Sequence, residues 1–246
     1  MNLVCRSDTG KVRGENQDSC DAFIYKDAAF LIVADGMGGH NGGQTASRLA
    51  AECVRGMIES EYECAMSESV LTSMLNSCCK LANSEIWQKS LKDEKLSGMG
   101  TTLVIAAVTD KRVTVLNVGD SRAYLVSEKG AEALTKDQSY VQHLVDTGEI
   151  SEQEAENHPQ KNIIMQAVGS SADIFPDINT CAYNGETILV CSDGLSNKVS
   201  RECMEEILSK DIPLTEKAER LIQTANDAGG EDNITVVLAS DDGHNL

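Results

Sequence analysis

Phe30-Leu31-Ile32-Val33-Ala34-Asp35-Gly36 decides the fold, because it places an unbroken apolar run directly before Asp-Gly. The same construction returns at Ile188-Leu189-Val190-Cys191-Ser192-Asp193-Gly194. A strand that is apolar on both faces must be covered on both faces. Each stretch therefore predicts a strand through the middle of the molecule, ending in an acidic residue. Around them the pattern predicts strands near Asp21–Tyr25, at Thr102–Val108, Val113–Val118 and Arg122–Val126, and later at Thr187–Ser192 and Ile234–Ser240. The turns at Thr109–Arg112 and Gly119–Ser121 are too tight for anything but antiparallel neighbours.

Between these strands the apolar period changes from two to 3.6. Gln44–Glu59 lines up Ala46, Leu49, Ala50, Cys53, Val54 and Met57, and Glu68–Leu91 does the same with Leu71, Met74, Leu75, Cys78, Leu81, Ala82 and Ile86. Both predict amphipathic helices. Helices are also expected at Ser200–Ser209 and Leu214–Ala228, the second capped by Gly229-Gly230. From Ser139 to Ser171 the strand rhythm breaks, and Ser139-x-x-Gln142 and Ser151-x-x-Glu154 read as caps of two short helices in an insertion. Strands and helices that do not alternate strictly predict a layered α+β domain.

Composition narrows the function classes. The chain has 246 residues, 41% hydrophobic and 24% charged, which is globular and fits one continuous core. No apolar run reaches the ~18 residues a membrane helix needs, and Met1–Arg6 shows no secretory h-region. With 39 acidic against 21 basic residues the net charge is −18, which argues against nucleic acid or an anionic membrane as partner. Nine cysteines, with no C-x-x-C and no zinc spacing, predict a reduced, cytoplasmic chain in which Cys53, Cys78, Cys191 and Cys203 act as small apolar residues.

Four aspartates share one local setting. Asp35 and Asp193 close apolar strands, Asp120 follows Leu116–Gly119, and Asp232 precedes Ile234–Leu238; a fifth, Asp18, closes Arg13–Asp18. Taken singly, each Asp beside Gly is an ordinary turn signal. Taken together, buried antiparallel strands bring them to one end of the domain. Two carboxylates ~4 Å apart repel by about 4 kcal/mol at an effective dielectric of 20. A set of four would approach or exceed the ~5–15 kcal/mol by which a protein is stable. The residues must stand apart or hold cations between them, and oxygen donors select hard ions such as Mg²⁺ or Mn²⁺. Paired ions of that kind activate water for displacement at phosphorus. Arg13 is the candidate for a direct phosphate contact, with a surface ion pair as its alternative role.

These segments resemble the metal-dependent protein phosphatase family (PPM, the type 2C Ser/Thr phosphatases), and most of all its bacterial branch. The resemblance runs in order through Arg13–Asp18, Val33–His40, Gly100–Thr102, Val118–Arg122, Leu134–Asp137, His158-Pro159 with Asn162 and Gly169, Ser192–Leu195 and Gly229–Thr235. It implies an α-β-β-α sandwich of two central antiparallel sheets flanked by helices, as one domain over residues 1–246, with a flap at about 139–171. It implies hydrolysis of phosphoserine and phosphothreonine by a metal-activated water at a binuclear Mg²⁺ or Mn²⁺ centre. Asp35 would bridge two ions, Gly36 would lend its carbonyl, Asp193 and Asp232 would complete one ion, and Asp18 would reach the site through water. Asp120 with Asp193 would hold a third, weaker ion, and Arg13 would bind substrate phosphate. Partners implied are phosphorylated proteins and the Ser/Thr kinase that makes them, for a monomeric enzyme. Met37 stands where many eukaryotic members carry His, leaving a water or His40 as proton donor. Gln44 and Gln138 replace a charged residue and a His common in the family. A non-catalytic phosphoprotein-binding or kinase-regulating relative is the competing class; the presence of every metal aspartate argues against it.

Overall fold

A computed structural model describes residues 1–39 and 42–241; His40, the candidate proton donor, lies outside the described residues. The strands are β1 (Asn2–Asp8), β2 (Asp18–Tyr25), β3 (Ala28–Met37), β4 (Gly100–Thr101), β5 (Leu103–Val108), β6 (Arg112–Val118), β7 (Arg122–Ser127), β8 (Gly130–Ala133), β9 (Asp177–Ala182), β10 (Thr187–Cys191) and β11 (Ile234–Ser240). The helices are α1 (Gly42–Glu61), α2 (Glu68–Lys92), α3 (Tyr140–Asp146), α4 (Glu152–Glu156), α5 (Asp193–Ser196), α6 (Arg201–Leu208) and α7 (Leu214–Asp227). One sheet runs β1-β11-β10-β7-β8; the other runs β2-β3-β5-β6-β9, with β4 joined to β3. Every pairing is antiparallel.

The alternation of side chains explains the apolar runs. On β3, Phe30, Ile32 and Ala34 pack with α1 and α2, while Leu31 and Val33 meet the sheet that contains β10. On β10, Leu189 and Cys191 pack with α6 and α7, while Ile188 and Val190 face the sheet that contains β3. Both strands are therefore buried twice over, in the order helix, sheet, sheet, helix. The expected α+β sandwich is the observed fold. Its flap contains α3 and α4, with Ser139 and Ser151 as their N-caps; only Ser151 and Glu154 form the complete reciprocal box. Among the described residues no helix is long and apolar enough to cross a membrane.

Four expectations change. The strand carrying Asp35 does not stop there: β3 continues to Met37, because Gly36 and Met37 pair with β4. Asp193 opens α5 instead of a turn. Leu81, expected on the buried stripe of α2, is exposed. The chain is also not fully reduced. Cys5 and Cys20 form a disulfide with Cα atoms 6.7 Å apart, within the span such a bond bridges. The cause is β1, which the apolar pattern did not reveal: it lies at the edge of its sheet beside β2 of the other, and brings residues far apart in the pattern face to face. The other cysteines are free; Cys78 and Cys191 are buried, Cys53 and Cys203 only partly.

Candidate metal centre

At one end of the sandwich the inner faces of the two sheets open into a cleft of about 840 Å³, bordered by Arg13, Asp35, Asp120, Asp193 and Asp232. Antiparallel register puts Asp18 of β2 directly opposite Asp35 of β3, so the fifth aspartate lies just beneath the cleft, buried. Asp193 arrives from the other sheet at the start of α5, and Asp232 from the loop before β11.

Two glycines make this convergence sterically possible. A Cβ on Gly36 would lie 2.2 Å from the Gly43 carbonyl oxygen, so only glycine lets the start of α1 seat on β3. A Cβ on Gly194 would lie 2.0 Å from the Asn233 carbonyl oxygen, so the Asp193 and Asp232 segments meet only through glycine. The residue after each aspartate is set by close backbone approach instead of by turn geometry.

Electrostatics follow from the crowding. Burial pushes the Asp35 carboxyl well above the usual range, and Asp18, Asp193, Asp120 and Asp232 add to it. Asp18 is pushed up to about 6 by burial, and the hydroxyls of Thr235 and Ser192 pull the other way. Asp120 is pushed up to about 7 by burial, with Asp193 and Asp137 adding to the rise. Asp193 is raised by burial and by Asp232. Arg13 donates to Asp232 Oδ2 at 2.8 Å while more than half its side chain stays exposed.

Two oxygens test whether these residues fit cations. Asp18 uses Oδ2 for two hydroxyl donors and leaves Oδ1 buried without a partner. Asp193 uses Oδ2 for Asn197 at 3.0 Å and likewise leaves Oδ1 buried without one. Orphaned charged oxygens at buried positions are costly, and two of them beside one cleft fit a cation. Among the described residues no group of three acidic, His or Cys side chains converges tightly enough to enclose an ion unaided. Hard ions commonly take carbonyl and water ligands besides carboxylates.

The sequence profile of the Protein phosphatase 2C family matches residues 11–239. This chain belongs to the Protein phosphatase 2C family. The serine/threonine phosphatase stp of Listeria monocytogenes is 41% identical over 244 residues, covering 98% of this chain and 96% of that protein. The crystal structure of serine/threonine phosphatase Stp1 from Staphylococcus aureus superposes with a TM-score of 0.92 at 33% identity, covering 98% and 95% of the two chains. The catalytic domain of the serine threonine protein phosphatase PstP, solved in complex with two manganese ions, gives a TM-score of 0.82 at 36% identity over 97% of each chain.

Within this Protein phosphatase 2C fold, other residues hold the site together, and sequence pattern did not single them out for it. Asn233 accepts the Gln17 N–H at 2.8 Å and donates to the carbonyls of Thr9 and Glu15, both at 3.0 Å, which fixes the loop carrying Arg13. Thr102 accepts the Asp35 N–H at 2.9 Å, and its own N–H donates to the Asp35 carbonyl at 2.8 Å. Arg122 grips Asp137 with two bonds of 2.8 and 2.7 Å beside Asp120. Gln138 donates to Asp177 and accepts from the N–H of Gly119, tying the Asp120 loop to the start of β9. Thr102, Arg122, Asp137 and Asn233 all lie in the motifs quoted above; the signal was present, and the partner across the fold was missing. Gln44 is exposed on α1.

Proposed function

We propose that this chain is a protein serine/threonine phosphatase, hydrolysing phosphoserine and phosphothreonine in proteins at a binuclear Mg²⁺ or Mn²⁺ centre. The observation that carries the reading is the pair of buried, unpartnered oxygens Asp18 Oδ1 and Asp193 Oδ1 beside one acidic cleft. The manganese-bound PstP catalytic domain and the names of the bacterial relatives support it. Asp35, with the Gly36 carbonyl, Asp193 and Asp232, would hold the ions, and Asp18 would act through water. Asp120 and Asp193 would hold a third, weaker ion. When bound, such ions supply positive charge and lower the pKa of a coordinated water.

The remaining work falls to the chain. Arg13, exposed at the rim, orients the phosphate with its planar donors, on a molecule whose charge of −18 would otherwise repel it. Asp232 holds that guanidinium in place until the phosphate arrives. Asn162 and Ile164 of the flap form a wall of the cleft and meet the polypeptide beside the phosphorylated side chain. Residues 1–246 serve as one catalytic domain, acting on the products of a Ser/Thr kinase.

The test is phosphate release from a phosphothreonine peptide. Protein stripped with EDTA should release none, and added Mn²⁺ should restore release. Undiminished release in EDTA, or none with any divalent ion, would overturn the reading.

A further inference from the structure

Asp18 is held by the opposite sheet. It opens β2, whereas Ser192 follows β10 and Thr235 lies in β11, and both hydroxyl residues are fully buried. Ser192 Oγ donates to Asp18 Oδ2 at 2.8 Å, and Thr235 Oγ1 donates to the same oxygen at 2.6 Å.

A hydroxyl has one proton to give, so the remaining directions follow. With the Thr235 proton on Asp18, the 2.7 Å contact between Thr235 Oγ1 and Ser7 Oγ must be donated by Ser7. Ser7 Oγ in turn accepts from Asn16 Nδ2 at 2.8 Å. Ser192 Oγ gives its proton to Asp18 at 2.8 Å, much nearer than the Asn233 carbonyl at 3.4 Å, and accepts the Thr235 N–H at 3.0 Å. Every bond in the chain Asn16, Ser7, Thr235 therefore points toward Asp18 Oδ2, and the Ser192 branch ends on the same atom. That oxygen is saturated, the carboxylate cannot turn without breaking two buried bonds, and Oδ1 is left without a partner.

We propose that Thr235 and Ser192, with Ser7 behind Thr235, are positioning residues that set the Asp18 carboxylate for cation binding. They act through Asp18 and touch neither ion nor substrate. The proposal rests on reading the carboxylates as a metal centre, and it assigns the inter-sheet hydroxyls a role in ion affinity beyond joining two sheets. Partners behind a directly ligating group change affinity by about 10–100-fold when removed; behind a carboxylate that acts through water, the low end of that range is the expected size.

The measurement is the Mn²⁺ dissociation constant, by isothermal titration calorimetry on EDTA-stripped, dialysed full-length protein, together with Tm in EDTA. Thr235→Val keeps the shape and loses the hydroxyl, and should weaken Mn²⁺ binding by about tenfold, the low end of the range for such partners. Thr235→Ser restores the hydroxyl and should bind within a few-fold of wild type. Ser192→Ala supplies the same readout should Thr235→Val not fold. Thr114→Val removes a comparable buried hydroxyl that pairs with Thr180 at 3.2 Å in the other sheet, and should leave the affinity unchanged. Wild-type affinity in Thr235→Val or Ser192→Ala, with only Tm lowered, would overturn the proposal and leave the hydroxyls as structural. Absence of Mn²⁺ binding in the wild type would instead overturn the metal-centre reading itself.

Discussion

Asp35 is fixed through its main chain. Its N–H donates to Thr102 Oγ1, and its carbonyl accepts from Thr102 N–H and from Thr101 Oγ1. The side chain is thus aimed without spending either carboxylate oxygen on the clamp. It faces four other aspartates in a buried setting, where repulsion is least relieved by solvent. Asp35→Asn should therefore have two effects of opposite sign. Mn²⁺-dependent hydrolysis should fall by at least 10²-fold. The ion-free protein should become more stable, its Tm rising by roughly 2–4 °C for each kcal/mol of repulsion relieved. Calorimetry in EDTA together with a phosphopeptide assay checks both; a variant that turns over like wild type would remove Asp35 from the centre. Arg13→Ala should behave differently. The residue sits at the rim in a half-exposed pair with Asp232, and such pairs contribute at most ~1 kcal/mol to folding. Its loss should raise KM for a phosphopeptide about tenfold while kcat changes less, which steady-state kinetics resolves. An unchanged KM would assign it to the surface ion pair alone.

Element packing depends on which glycines are crowded. Gly36→Ala would drive a Cβ into the Gly43 carbonyl and the Gln17 carbonyl, 2.2 and 2.5 Å away, separating α1 from β3; a loss of about 1–3 kcal/mol is expected. Gly56, exposed within α1, meets nothing within 4 Å, so Gly56→Ala should stabilise by about 0.5–1 kcal/mol. Urea denaturation of the two variants should give opposite signs, and matching signs would show that α1 does not seat on β3 through Gly36. The same contrast explains what the sequence could reveal. β3 and β10 were legible because burial on both faces leaves an apolar run, and α1, α2, α6 and α7 because one buried stripe leaves a 3.6 period. β1, β8 and β9 were not, because they are sheet edges with half-exposed, mixed side chains, and no period survives there. Asp35, Asp120 and Asp193 stood out as Asp beside Gly in a repeated setting, and Asp232 by its place just before an apolar strand. Thr102, Ser192 and Thr235 did not stand out as their supports, because a hydroxyl acquires that role only from a partner across the sandwich. Cys5 and Cys20 were unreadable as a pair for the same reason.

Across the whole molecule, the cluster should give the protein an inverted response to pH. In the ion-free protein burial pushes Asp18 up to about 6 and Asp120 up to about 7, both above the ~3.9 of an unfolded chain. A carboxyl raised on folding favours the folded state when protonated. Its contribution is fully present below pH ~4 and is lost as pH rises through the folded pKa. EDTA-treated protein should therefore lose Tm steadily between pH 5 and 8. The surface charge of −18 acts in the same direction, but salt screens exposed charges far more than buried ones. Added NaCl should flatten only part of the slope, and Asp35→Asn should flatten more of it. Mn²⁺ reverses the sign. It binds the ionised carboxylates and competes with the protons they hold at lower pH, so the Tm gained from saturating Mn²⁺ should be several degrees larger at pH 8 than at pH 6. A scan of Tm against pH, with EDTA and with Mn²⁺, separates the two curves. Parallel curves would mean that the ion binds groups that do not titrate in this range, which excludes the cluster of Asp18, Asp35, Asp120 and Asp193 as its site.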